Sequence, residues 1–224
     1  MHLEQLLAGR ADLWRGRAVP AANPAGVSTG YTALDAVLPW GGWPPASLSE
    51  VLDARPEGAL SLVLPTLIRL SHRPRWLLLI DPPQAPFAPT LAALGLDLAR
   101  LAVVTAGTET AWAAEQGLRS GACSAVLIWG RETPWRGPAL RRLQLAAQSG
   151  DALALLFRGT EAAQNPSPAA LRLRVRPLAA DLEVEILKQR GGRPAGVLRL
   201  AWPEARIGKE ERGWSANERK VRKR

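Results

Sequence analysis

At 224 residues, 47% hydrophobic and 22% charged, the chain can bury one sizeable core and has the composition of a globular domain, not of a disordered segment. Its single cysteine, Cys123, excludes an internal disulfide, and with only His2 and His72 beside it there is no zinc-ligand set and no Ser/His/Asp or Cys/His constellation. The net charge of +9 fits either an acidic partner, such as DNA or an acidic protein surface, or an arginine-rich solvated face.

In chain order, His2–Trp14 carries Leu3, Leu6, Leu7 and Leu13 at helical spacing and predicts an amphipathic helix. Residues 15–27, with Gly16, Pro20, Pro24 and Gly26, read as a linker. Thr32 is placed to cap a short helix, Ala33–Leu38, and Pro39–Pro45 is a turn around Gly41-Gly42. Strands are then expected at Leu48–Leu52, Trp76–Ile80, Leu101–Thr105, Ala125–Trp129 and Leu153–Phe157, separated by helices at Glu57–Ser71, Pro89–Leu94, Thr110–Arg119 and Pro138–Gln148. This alternation predicts an α/β fold with a mostly parallel sheet flanked by helices. Three alternating segments follow, Leu171–Val175, Leu182–Leu187 and Val197–Ala201, with Gly191-Gly192 between the last two. They predict an antiparallel C-terminal edge. The organisation expected is an N-terminal helix and linker (1–26), a core domain (27–203) and a basic, mobile tail (204–224). No apolar run reaches the length of a membrane span, and Met1–Arg10 carries Glu4 and no apolar signal core, which points to a cytoplasmic protein.

Several short motifs occur in collinear order: Ser28-Thr29-Gly30, Leu34-Asp35, Gly41-Gly42, Leu94-Gly95-Leu96-Asp97, and Leu118-Arg119-Ser120-Gly121 before Ala125–Ile128. Over residues 27–201 they resemble RecA. In that alignment the strand Leu48–Leu52 should lead into a phosphate-binding loop. Here the first glycine is Asp53, Gly58 is retained, the lysine is Ala59 and the threonine is Leu60. A carboxylate beside the phosphate, no cation and no magnesium ligand remove the chemistry of nucleotide binding. Arg55 restores charge but not the metal ligand. The catalytic glutamate falls on Pro83, with Asp81 nearby, the Walker B aspartate on Trp129, and the polar sensor on Arg158-Gly159. A surviving ATPase is the alternative that Ala59 argues against.

Among RecA relatives without a phosphate-binding loop, the chain resembles the ImuA family through Leu13-Trp14-Arg15-Gly16, the run Thr29-Gly30…Leu34-Asp35…Leu38-Pro39, and Gly41-Gly42-Trp43-Pro44. The resemblance implies a non-catalytic accessory protein of SOS-induced translesion DNA synthesis, without cofactor or metal. Its implied partners are an ImuB-type polymerase-like protein and RecA, with DNA a further partner for the basic tail, in a monomer or small hetero-complex. The alternative is a SulA-like division inhibitor acting on FtsZ.

Lys188-Gln189-Arg190 resembles the basic pair that RecA sets across a subunit interface; the alternative, slightly favoured, is the charged end of an exposed hairpin. The terminal run Arg219, Lys220, Arg222, Lys223 and Arg224, with Trp214 as an apolar anchor, is either a partner-binding segment or a solvated tail. Nine tryptophans stand against two phenylalanines and one tyrosine. Trp76, Trp112 and Trp129 are expected in the core. Trp40, Trp43 and Trp214 are open to an interaction role.

Overall fold

Strands that are apolar on both faces require helices on both sides, and the chain supplies them. A computed structural model describes residues 25–54, 56–129, 135–179, 181–192 and 196–201, with only the backbone of 56–58. The strands are β1 (Leu48–Asp53), β2 (Trp76–Ile80), β3 (Leu101–Val104), β4 (Cys123–Trp129), β5 (Leu153–Arg158), β6 (Leu171–Pro177), β7 (Asp181–Gln189) and β8 (Val197–Ala201). The helices are α1 (Thr32–Val37), α2 (Pro56–Ser71), α3 (Ala88–Ala93), α4 (Thr110–Arg119) and α5 (Gly137–Ser149). The expected helix His2–Trp14 and tail Glu204–Arg224 lie outside the described residues.

One eight-stranded sheet runs in the order β3-β2-β4-β5-β1-β6-β7-β8. The first six strands in that order are parallel to their neighbours, and β7 and β8 are antiparallel. The mixed α/β class is therefore as expected, with one refinement. The sequence pattern places β6 in the antiparallel section, but it pairs parallel with β1 and turns antiparallel only toward β7. Side chains alternate between two apolar layers. Val51, Leu79, Leu127 and Leu155 join Leu62, Val63 and Leu67 of α2. Leu48, Ile80, Ile128 and Leu156 join Leu118 of α4 and Leu140 and Leu143 of α5.

The motifs near the N-terminal end of the described chain form a clamp on α2. Asp35 Oδ1 accepts from Thr29 N–H at 2.8 Å and from Thr29 Oγ1 at 2.7 Å, and Oδ2 accepts from Ser28 Oγ at 2.5 Å. Trp43 is fully buried, and its Nε1 donates to Thr66 Oγ1 at 2.9 Å. The Thr66 hydroxyl in turn faces the carbonyls of Ser28 and Thr29 at 3.0 and 3.1 Å. Arg69 also donates to the Ser28 carbonyl. The glycines are there for space. A Cβ on Gly30, at φ +92°, would stand 2.4 Å from Pro65 Cβ, and one on Gly42 would stand 2.4 Å from the Val27 carbonyl oxygen.

Three local expectations change. α1 starts at Thr32 with Tyr31 at its N-cap, so Thr32 is inside the helix and does not cap it. Trp76 is 41% and Trp112 62% exposed, so neither belongs to the core. Trp43, left open to an interaction role, is a core residue.

Removing the Asp35 carboxylate leaves three donors without their acceptor. Asp35→Ala should therefore lower stability by about 1–3 kcal/mol in urea denaturation. Tyr31 gives a pH signature. Burial raises its pKa from 10.0 to about 12. Between those values the unfolded chain loses a proton that the folded chain keeps, so this contribution to stability falls as pH rises from 10 to about 12. In Tyr31→Phe that part of the alkaline slope should be absent from denaturation measured across the same range.

Candidate functional site

Open α/β sheets bind ligands at the carboxyl ends of their parallel strands. In this chain those ends are filled by its own side chains. Asp53, expected in a loop, is the last residue of β1 and is nearly buried. Its Oδ2 accepts from the Ala59 backbone N–H at 3.1 Å. Ala59 lies in the first turns of α2, where free N–H groups and the helix dipole favour an anion. The Asp53 carboxylate supplies that anion from within the chain. Gly58 falls in the first turn of α2. Ala59 is buried and Leu60 half-buried, and both pack in the same apolar layer as Trp129 and Phe157.

Trp129 ends β4 and stacks on Phe157 of β5, with ring centroids 4.4 Å apart and planes 10° from parallel. The pair fills the strand ends beside α2 with apolar surface. At the end of β2, Asp81 sits at φ +50°. Its Oδ1 accepts from the N–H groups of Ala106 (2.7 Å) and Gly107 (3.2 Å), and its Oδ2 from Thr110 Oγ1 at 2.5 Å. Asp81 therefore holds the β3–α4 connection and is not free to activate water. Pro83 is exposed. Among the described residues no group of three or more His, Cys, Asp and Glu side chains could hold a metal. No helix there is long and apolar enough to cross a membrane.

The strongest charge cluster was missed from the sequence. Glu50, in the middle of β1, is completely buried. Its Oε1 accepts from Arg158 at 3.2 Å and from Ser167 Oγ at 2.8 Å, and its Oε2 accepts from Arg172 Nε at 2.6 Å. Arg172 also donates to the carbonyls of Ala162 (2.6 Å) and Asn165 (3.1 Å). Arg158 reaches the Trp135 carbonyl at 3.3 Å. The network thus pins the β5–β6 crossover, with its 3-10 turn Thr160–Gln164, onto the sheet. The available signal was an acidic residue inside an apolar strand, Leu48-Ser49-Glu50-Val51-Leu52, with arginines alternating along β6.

Lys188 and Arg190, singled out from the sequence, lie beside this network. Lys188 is half-buried, and its Nζ donates to the Ser167 carbonyl at 2.7 Å. Desolvation, then repulsion from Arg190 and Arg172, lowers its pKa, against an opposing pull from Glu50. Arg190 is exposed and its guanidinium is 3.4 Å from the Pro168 carbonyl. Trp214, Arg219, Lys220, Arg222, Lys223 and Arg224 lie outside the described residues.

A buried carboxylate stripped of its cation is costly. Arg172→Ala should destabilise by about 3–5 kcal/mol. The double variant Glu50→Ala/Arg172→Ala should lose less than the sum of the two single losses, as read by a denaturation double-mutant cycle.

Residues 47–154 match the family model of SulA, described as cell division inhibitor SulA. A solved structure of SulA from Pseudomonas aeruginosa is 33% identical over 51% of this chain and 98% of its own, with a TM-score of 0.43. A comparison with curated proteins gives no match. The family match overturns the expected role in translesion synthesis, and with it the expected partners, an ImuB-type protein and RecA. The physical reason is visible in the clamp. Thr29-Gly30, Leu34-Asp35 and Gly41-Gly42-Trp43, which carried the ImuA resemblance, form an internal packing device and lie before the matched segment. They say how α2 is held, not what the chain binds. Over residues 47–154 the chain is similar to the SulA family of cell division inhibitors.

Proposed function

We propose that this chain is a non-catalytic inhibitor of cell division of the SulA kind, acting in the SOS response by binding FtsZ. The observation that carries this function is the family match over residues 47–154, which runs from just before β1 into β5. The chemistry at the strand ends is consistent with it. Asp53 stands where the phosphate loop would have its first glycine, Ala59 where it would have its lysine, and Trp129 where magnesium would need a carboxylate. On this view the fold is an ATPase scaffold that has lost nucleotide chemistry and acts by surface contact.

We assign the partner contact to Lys188 and Arg190, with Trp214, Arg219, Lys220, Arg222, Lys223 and Arg224 of the C-terminal segment. They offer positive charge and one aromatic anchor to an acidic surface.

Purified chain at micromolar concentration should lower the GTPase rate of FtsZ from the same genome and reduce its sedimentable polymer. Arg190→Glu in a chain ending at Trp202 should weaken that inhibition and flatten its salt dependence. Titration with magnesium and ATP should show no binding. An unchanged GTPase rate would overturn the proposed function; magnesium-dependent ATP binding would overturn the loss of nucleotide chemistry.

A further inference from the structure

Of the chain's 29 lysines and arginines only four are lysine, and Lys188 alone precedes Lys209. The difference is chemical. A guanidinium stays protonated in a protein, whereas a lysine ammonium can give up its proton and become a nucleophile. Ahead of the C-terminal segment, Lys188 is therefore the single side-chain amine the chain offers.

Its surroundings favour the free amine. Lys188 lies near the end of β7, directly opposite Arg172 of β6. Its Nζ donates to the Ser167 carbonyl at 2.7 Å, and the Arg190 guanidinium is 3.4 Å from the next carbonyl, that of Pro168. Two cations thus converge on adjacent carbonyls of the β5–β6 crossover. The charged groups that face Lys188 are Arg190, Arg172 on β6 and Glu50 on β1. Glu50 is already shared between Arg158 and Arg172, one on each oxygen. Desolvation, joined by repulsion from Arg190 and Arg172, lowers the pKa of Lys188. Burial beside a second cation is how lysine nucleophiles are activated. The side chain is only half-buried, so the amine stays within reach of solvent.

We propose that Lys188 is an acylation site, at which Nζ takes the acyl group of an acyl phosphate docked on Arg190. Arg190 is exposed, and its planar fork of donors suits the oxygens of a phosphate. The neutral Nζ attacks the acyl carbon. The N–C bond forms, the C–O bond to phosphate breaks, inorganic phosphate leaves and the amine proton passes to solvent. The amide product keeps one N–H for the Ser167 carbonyl. It also removes a positive charge that stands between Arg172 and Arg190, so the repulsion that activates the amine is relieved by the reaction. This chemistry is independent of any protein partner.

Acetyl phosphate incubated with the full chain, followed by peptide mass spectrometry, should label Lys188 several-fold faster than Lys209, Lys220 and Lys223. The Lys188 rate should level off at a lower pH than theirs, because its pKa is lowered. In urea the four rates should converge. Arg190→Gln removes one repelling charge, so it should slightly slow labelling by N-hydroxysuccinimidyl acetate, which is uncharged. It should slow labelling by acetyl phosphate several-fold more. Lys188 labelled no faster than the other three lysines overturns the proposal, and so does a lead that persists in urea. Equal slowing of the two reagents by Arg190→Gln overturns it as well, since the phosphate would then not dock on Arg190.

Discussion

One carboxylate in the middle of the sheet constrains much of what surrounds it. Glu50 sits on β1, between β5 and β6, with no access to water. A charge in that position is tolerable only if cations reach it with good geometry. Arg158 comes from β5 and Arg172 from β6, so both neighbouring strands contribute to its neutralisation. Arg172 then directs its remaining donors to the carbonyls of Ala162, in the Thr160–Gln164 turn, and Asn165, just after it. Strand register, crossover path and the placement of Ser167 are tied to one acid group. Apolar packing alone would accept many small shifts of β6 along β1. The ion pairs accept far fewer, because a displaced guanidinium leaves a buried charge uncovered.

The carboxyl ends of the parallel strands follow a related rule. The polar groups of the α2 N-terminus and of the β3–α4 turn are met internally, while Trp129 Nε1 is buried without a hydrogen-bond partner among the described residues. The α2 N-terminus receives Asp53, the β3–α4 turn receives Asp81, and the space by β4 and β5 receives the Trp129–Phe157 stack. Among the described residues, these side chains occupy positions where open α/β folds place a ligand.

Much of the fold was legible in the sequence because its signals are local. The apolar runs of β2, β4 and β5 and the helical periods between them place these elements within a few residues. Pairing was less legible. The alternation in Leu171–Val175 gives a half-buried strand but cannot say that its neighbour on one side is the parallel β1. The tryptophans misled for a similar reason. Trp76 opens a buried strand yet lies at its exposed start, and Trp112 is on the outer side of an amphipathic helix. The site was the least legible part. Lys188 and Arg190 stood out as a charged cluster, while Glu50 and Arg172, separated by over a hundred residues, are joined only by the sheet. Thr29-Gly30 and Gly41-Gly42-Trp43 are packing devices, and packing carries no mark of a partner.

The parallel pairing of β6 with β1 ties the family-matched segment to residues beyond it. The family match ends at residue 154, inside β5. Arg158, Arg172 and Ser167, every group that satisfies Glu50, lie after that point. The β5–β6 crossover and β6 are therefore not an appendage to the matched segment, because they neutralise a charge buried inside it. A chain without β6 would have to lose the acid at position 50 as well, or leave a buried charge uncovered.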